Sequence, residues 1–159
     1  MTTEVGCSMN TPNADIPTAG RFEGQTHILP VRVYYEDTDF SGIVYHASYL
    51  RFLERGRTDF LRLAGLGQGA LWDGADKIAF VVYRMGLDFL KPARVDDALM
   101  VETRFSAKGG VRLIGDQQIK RDDVVLLKAK VEVVGVDGQG RPRKPPKAIA
   151  TALQPFIIP

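Results

Sequence analysis

Asp39 and His46 stand close together in the run YYEDTDFSGIVYHASYLRFLERGRTDF, Tyr34 to Phe60. A carboxylate can attack a carbonyl carbon or draw a proton from water. An imidazole can hydrogen-bond a carbonyl, polarise water or return a proton to a leaving group. Between the two, Gly42 permits the sharp turn that leads into a helix. The first backbone N–H groups of that helix, at Tyr45, His46 and Ala47, have no intrahelical acceptor and lie at the positive end of the helix dipole. Groups of this kind stabilise a developing oxyanion. An acid, a helix N-terminus and an imidazole in one short run suit acyl chemistry. Plainer readings of the same residues stand beside this one. Aspartate is common in turns as a backbone cap, and a histidine at a helix start can pack on a sheet. Tyr35 shares strand parity with Asp39 if the strand continues that far, so its hydroxyl can orient the carboxylate; a core tyrosine is the alternative. Asp37 reads as a turn cap. Glu54, an acid on the helix, pairs by its spacing with Arg57.

The elements that must hold these groups follow from the pattern. Thr26 to Glu36 reads as a strand, with Val31, Val33 and Tyr35 on one face. From His46 or Ala47 to Ala64, apolar residues recur at helical spacing: Tyr49, Leu50, Leu53, Gly56, Phe60 and Leu61, widened by Phe52 and Leu63. Gly56 predicts close approach of the helix to a sheet. Arg55 and Asp59 are spaced as partners on the exposed face, and Gly65 sits at the helix C-terminus. A short helical turn is expected over Gln68 to Gly74. Four strands follow: Ile78 to Leu90, Ala98 to Lys108, Val111 to Lys120 and Val124 to Val136. Gly109-Gly110 marks a hairpin, and Pro146 to Leu153 reads as a terminal helix. Helix and strands are segregated, so the class is α+β, one antiparallel sheet curled round one long helix. Such a sheet leaves a long edge strand for a partner to cover.

Residues 1–25 lack periodicity and read as a flexible N-terminal extension; 26–159 form a single domain. A net charge of +2 is too small for general nucleic-acid binding. The single cysteine, Cys7, excludes an intrachain disulfide and fits a reducing compartment. No apolar run spans a bilayer and no secretory signal opens the chain, so a cytoplasmic location is expected. Two histidines, His27 and His46, without ligand spacing give no metal site.

Arg32 to Leu61 resembles the hotdog-fold acyl-CoA thioesterases. Within them it looks most like the branch associated with the Tol-Pal envelope system, related to the 4-hydroxybenzoyl-CoA thioesterases. The pattern D-x-D-x-x-G-x-V-Y-H-x-x-Y-x-x-x-x-E-x-x-R carries the resemblance, through Asp37, Asp39, Gly42, Val44, Tyr45, His46, Tyr49, Glu54 and Arg57. The element order extends it from Thr26 to Phe156. The resemblance implies the hotdog fold, a curled five-stranded antiparallel sheet wrapped around one long central helix. It also implies a homodimer that pairs into a homotetramer. The implied reaction is hydrolysis of an acyl-CoA thioester to free acid and coenzyme A, with Asp39 as the catalytic carboxylate and His46 assisting. Coenzyme A is part of the substrate, and no cofactor or metal is implied; acyl carrier protein is a possible alternative donor. The phosphates of coenzyme A call for arginine and lysine. Lys108 and Arg112 flank the Gly109-Gly110 hairpin, and Arg141, Arg143, Lys144 and Lys147 follow the last strand. The rival reading is a non-catalytic acyl-CoA or acyl-carrier-protein binding partner of envelope or lipid machinery; Asp39 and His46 favour the enzyme. Phe40-Ser41 stands where many relatives have small residues such as Ala-Gly, which reshapes the pocket mouth.

Overall fold

The computed structural model describes residues 17 and 19–159. Cys7 and most of the expected N-terminal extension lie outside them. The chain is built on one helix, α1 (His46–Leu63). Its helical spacing of apolar residues buries Tyr49, Phe52, Leu53, Phe60 and Leu61. Phe52, Leu53 and Phe60 are wholly removed from solvent, and each such side chain contributes roughly 1.5–3 kcal/mol by burial. A Cβ on Gly56 would lie 2.8 Å from Val101 Cγ1 and 3.0 Å from Thr103 Oγ1. The absence of a side chain there lets the sheet approach the helix backbone. The helix ends at Ala64, and Gly65 takes the left-handed conformation, φ +79°, expected of a C-terminal cap.

The sheet that wraps α1 comprises β1 (Arg21–Glu23), β2 (Thr26–Arg32), β3 (Ala79–Phe89), β4 (Ala98–Lys108), β5 (Arg112–Arg121), β6 (Val124–Val136) and β7 (Ile157–Ile158). The strand order is β1-β2-β4-β5-β6-β3, antiparallel throughout, and β7 pairs in parallel with β4 at Phe105 and Ser106. Leu99, Val101, Thr103 and Phe105 of β4 face α1 and are buried. The alternation demanded by the pleat thus places one face of the sheet on the helix. Two short helices, α2 (Gln68–Asp73) and α3 (Lys147–Leu153), close the end of the sheet nearest the C-terminus of α1. There Phe60, Leu61, Leu71, Phe105, Leu113 and Leu153 form one core; Val33, Tyr49, Phe52, Leu53 and Leu127 belong to a second, at the helix N-terminal half.

Four expectations need correction. Among the described residues the sheet has seven strands, because two short ones join the expected five. One of them, β1, falls inside the expected extension: Arg21–Glu23 pairs with Thr26–Ile28, and Gly20 N–H donates to Asp59 Oδ2 at 2.7 Å. The strand expected to reach Glu36 stops at Arg32. The Asp37 carboxylate accepts the Tyr34 N–H at 2.8 Å and turns the chain into a single 3-10 turn, Tyr35–Asp37. Finally, Asp59 does not pair with Arg55 on the solvent face. It is buried, with its Oδ2 2.8 Å from His27 Nε2 and its Oδ1 3.0 Å from Arg62 Nη1.

Candidate active site

Asp39, Tyr45 and His46 line one cleft of about 350 Å³, with Tyr49 and the segment Phe89–Pro92 forming its other walls. The loop that carries Asp39 is a tight turn. Gly42 N–H donates to the Asp39 carbonyl at 3.0 Å, and Asp39 N–H donates to the Ile43 carbonyl at 3.0 Å. Gly42 lies at φ +81°, which a residue with a Cβ rarely adopts. The loop is latched to the rest of the site at three points. Val44 N–H donates to the Ala93 carbonyl at 2.9 Å, Ile43 bridges Arg94, and Ala93 N–H donates to the Tyr49 hydroxyl at 2.9 Å. Tyr49 is buried, and burial pushes its phenol above the usual range. It therefore stays neutral and positions the Ala93 segment.

The Asp39 carboxylate is held by Ser41. Its Oδ1 accepts both the Ser41 hydroxyl and the Ser41 backbone N–H, the latter at 2.8 Å. The hydroxyl bond is the largest cause of a carboxyl pKa below the ordinary value, followed by the backbone bond. Asp39 is thus an ionised carboxylate whose Oδ2 has no hydrogen-bond partner among the described residues. Ser41 was visible in the sequence only as a departure from small residues; an acceptor two residues before a serine is the local signal for this turn.

At the helix start the three expected donors divide. Tyr45 N–H is spent on the Asp37 carbonyl, at 2.8 Å. This corrects the expectation that it serves an oxyanion. The N–H groups of His46 and Ala47 have no acceptor among the described residues, as the geometry of a helix N-terminus dictates. The His46 ring is exposed and rests against Tyr45, with ring centroids 4.4 Å apart. Asp37 is buried and structural, binding Tyr34 with its side chain and Tyr45 with its carbonyl. Tyr35 does not reach the carboxylate by strand parity. It sits in the 3-10 turn, is 86% exposed, and its carbonyl accepts Thr38. Glu54 bonds Thr58 rather than Arg57, and Arg57 donates to Gln117 Oε1 at 2.9 Å.

The expected coenzyme A contacts gather elsewhere. Lys108 and Arg112 share Glu132, at 3.8 and 3.4 Å. Arg143 pairs with Asp76 at 3.0 Å, Lys144 crosses the hairpin at Gly110, and Arg141 is exposed at a turn held by Asp137. Phe89, at the cleft, pairs with Leu127, whereas Arg112 pairs with Val134. These partners are seven positions apart on β6, or about 23 Å. One chain therefore does not bring this cluster to its own Asp39. The cation that does line the cleft is Lys91, on the segment after β3. Sequence reading missed it because it stands as an isolated lysine before Pro92. Among the described residues no group of three or more histidine, cysteine or acidic side chains is placed to hold a metal ion. No described helix is long and apolar enough to cross a membrane.

The model of the thioesterase superfamily matches residues 41–135. The chain is 44% identical over 126 residues to the acyl-CoA thioesterase YbgC of Haemophilus influenzae, covering 79% of this chain and 92% of that protein. It is 46% identical over 127 residues to the acyl-CoA thioester hydrolase YbgC of Escherichia coli O6:H1, covering 79% and 93%. Among solved structures, a "probable thioesterase" from Bartonella henselae superposes with a TM-score of 0.74 at 43% identity, covering 76% of this chain and all but a small part (99% covered) of the other.

Proposed function

The chain belongs to the thioesterase superfamily, and on that premise we propose that its Asp39 cleft hydrolyses acyl-CoA thioesters to a free acid and coenzyme A. The observation that carries the reading is the shared cleft. An ionised, Ser41-held carboxylate lies on the same surface as the helix start that presents two unpartnered N–H groups. The thioester carbonyl would be bound by the N–H groups of His46 and Ala47. Removing such a donor typically weakens transition-state binding by about 2.7–4 kcal/mol. Asp39 Oδ2 is the free oxygen for attack. A general base works best with a pKa near the working pH, and the Ser41 bonds hold Asp39 below that range. A lowered pKa weakens a carboxylate as base and as nucleophile alike, so both routes stand; in the direct one Oδ2 attacks the carbonyl carbon. The C–S bond breaks, a mixed anhydride forms, and water then releases the acid. The departing thiolate takes a proton from His46 or from water. Coenzyme A enters as part of the substrate, and no cofactor takes part in these steps.

A second copy of the chain completes the proposal. The outer edge of β3 has no strand partner among the described residues, and it exposes Val81, Val82, Tyr83 and Phe89. A long apolar edge of this kind favours pairing with another strand. A two-fold axis would pair β3 with itself antiparallel. That pairing brings the Arg112–Lys144 end of one subunit towards the Phe89 end of the other, where phosphates of bound coenzyme A need cations. The dimer would pair again into a tetramer and work in the cytoplasm. The test is thiol release from a panel of acyl-CoAs and acyl-carrier-protein thioesters by the purified full-length chain. Turnover of at least one acyl-CoA is expected. Release from acyl-carrier-protein thioesters alone would reassign the donor, and tight binding of acyl-CoA without any release would support a binding protein instead.

A further inference from the structure

A cavity of about 270 Å³ lies between the β4–β5 hairpin and α3, at the end of the sheet away from Asp39. Its walls are almost wholly apolar, with Phe80, Val111, Leu113, Pro145 and Leu153 among them. Arg112 and Lys144 border it, and none of its lining residues is a carboxylate. The charge of Arg112 is only partly met. It shares the single Glu132 with Lys108 and stacks on the Tyr83 ring at 4.8 Å. Lys144 makes no ion pair among the described residues. Its side chain lies across the hairpin tip, with Cε 3.2 Å from where a Cβ on Gly110 would stand. The cleft beside Arg57, by contrast, contains Glu54, and the Asp39 cleft sets one acid against Lys91.

Apolar walls under a net positive rim select a ligand with an alkyl body and an anionic head. A compact anion would leave the walls unfilled, and a neutral alkane would gain nothing from the cations. At about 270 Å³ the cavity falls just below the usual small-molecule range of about 300–1,000 Å³, which suits a single alkyl chain. We infer that this cavity binds a medium-chain alkyl carboxylate, at a site separate from the Asp39 cleft. The β6 partners of Phe89 and Arg112, Leu127 and Val134, are seven positions apart, which keeps the two sites apart within one chain. The ligand shares its chemical class with the product of the proposed reaction, but the site does not depend on that reaction.

The test is calorimetric titration of decanoate into the full-length wild type, Asp39→Asn, Ala150→Trp and Lys144→Glu, each checked for folding by near-ultraviolet circular dichroism. Ala150 is exposed on α3 and lines the cavity, so tryptophan there obstructs the entrance. One saturable site per chain is expected in wild type and in Asp39→Asn. Ala150→Trp should lose affinity for decanoate at least tenfold. Lys144→Glu should weaken decanoate at least tenfold and leave decanol binding as in wild type. Absence of saturable binding by wild type would overturn the inference. So would equal affinity in Ala150→Trp, loss of binding in Asp39→Asn, or decanol binding as tightly as decanoate. Should Ala150→Trp not fold, the Lys144→Glu comparison of decanoate with decanol decides. Thiol release is read separately, so failure of this site and failure of the proposed reaction are distinguishable.

Discussion

Ser41 grips Asp39 twice, through its hydroxyl and through its backbone N–H, both on the same carboxylate oxygen. Both bonds favour the charged form and hold the carboxyl below its ordinary pKa. If ionised Asp39 is essential, the acid limb of kcat/KM reports its pKa in the free enzyme. Activity should then stay flat as pH falls through the usual aspartate range. Ser41→Ala removes the larger of the two bonds and should move that limb to higher pH. A pH–rate profile that superposes on wild type would show that Asp39 does not set the limb.

His46 lines the cleft, and its ring rests against Tyr45. Its proposed work is confined to the leaving group and the bound carbonyl, where water can substitute in part. His46→Ala should lower kcat by about a hundredfold, the low end for general acid–base catalysis, with a smaller change in KM. The helix N–H groups survive the substitution because they belong to the backbone. Steady-state kinetics unchanged from wild type would reduce His46 to a packing residue.

Much of this arrangement was legible in the sequence, and the exceptions share a cause. Helical spacing from Tyr49 to Leu61 identified α1, and Gly109-Gly110 identified the central hairpin. Gly56 forecast the close approach of helix and sheet, which its 2.8 Å clearance from Val101 shows. The Asp39–Gly42 turn and the helix start at His46 were local, and local signals survive without coordinates. What failed depended on distant partners. Tyr35 looked like a continuing strand because its side chain suits one; the Asp37 cap on Tyr34 ends the strand instead. Asp59 looked solvent-facing because it is charged, although its position three residues after Gly56 puts it on the buried seam. Only the fold brings His27, 32 residues away in sequence, to it. The basic residues read as one phosphate-binding group are gathered, but at the far end of the sheet from Asp39.

The His27–Asp59 pair gives a stability prediction of its own. His27 is fully buried, and burial lowers its pKa more than its bond to Asp59 raises it. For Asp59, burial opposes ionisation, but Gly20, His27 and Arg62 outweigh it and hold its carboxyl below the ordinary value. The folded pair is thus neutral imidazole donating Nε2–H to a carboxylate, with Nδ1 buried and without a partner among the described residues. An unfolded histidine titrates near 6.5, above its folded value, so the unfolded chain takes up the proton first. The stability contributed by His27 is full above that pH and is lost as pH falls below it, towards the folded pKa. Thermal melts should show Tm falling between pH 7.5 and pH 5, and His27→Gln should flatten that slope. A wild-type Tm independent of pH over this range would contradict the assignment.

The outer edge of β3, which has no strand partner among the described residues, predicts assembly. Val82 is half-exposed there beside Tyr83, and lysine on an edge strand opposes pairing. Val82→Lys should shift the sedimentation coefficient towards that of a monomer, and should lower acyl-CoA turnover by raising KM if the partner's cations hold coenzyme A. Sedimentation of wild type as a monomer at the enzyme concentrations that support full turnover would remove the second subunit from the mechanism.

The most direct test of the central claim is Asp39→Asn, assayed for thiol release and, separately, for acyl-CoA binding. The substitution keeps the shape of the turn and removes the charge. Loss of turnover by at least about a thousandfold, with binding retained, is the predicted result. Turnover within tenfold of wild type by a well-folded Asp39→Asn would contradict the account.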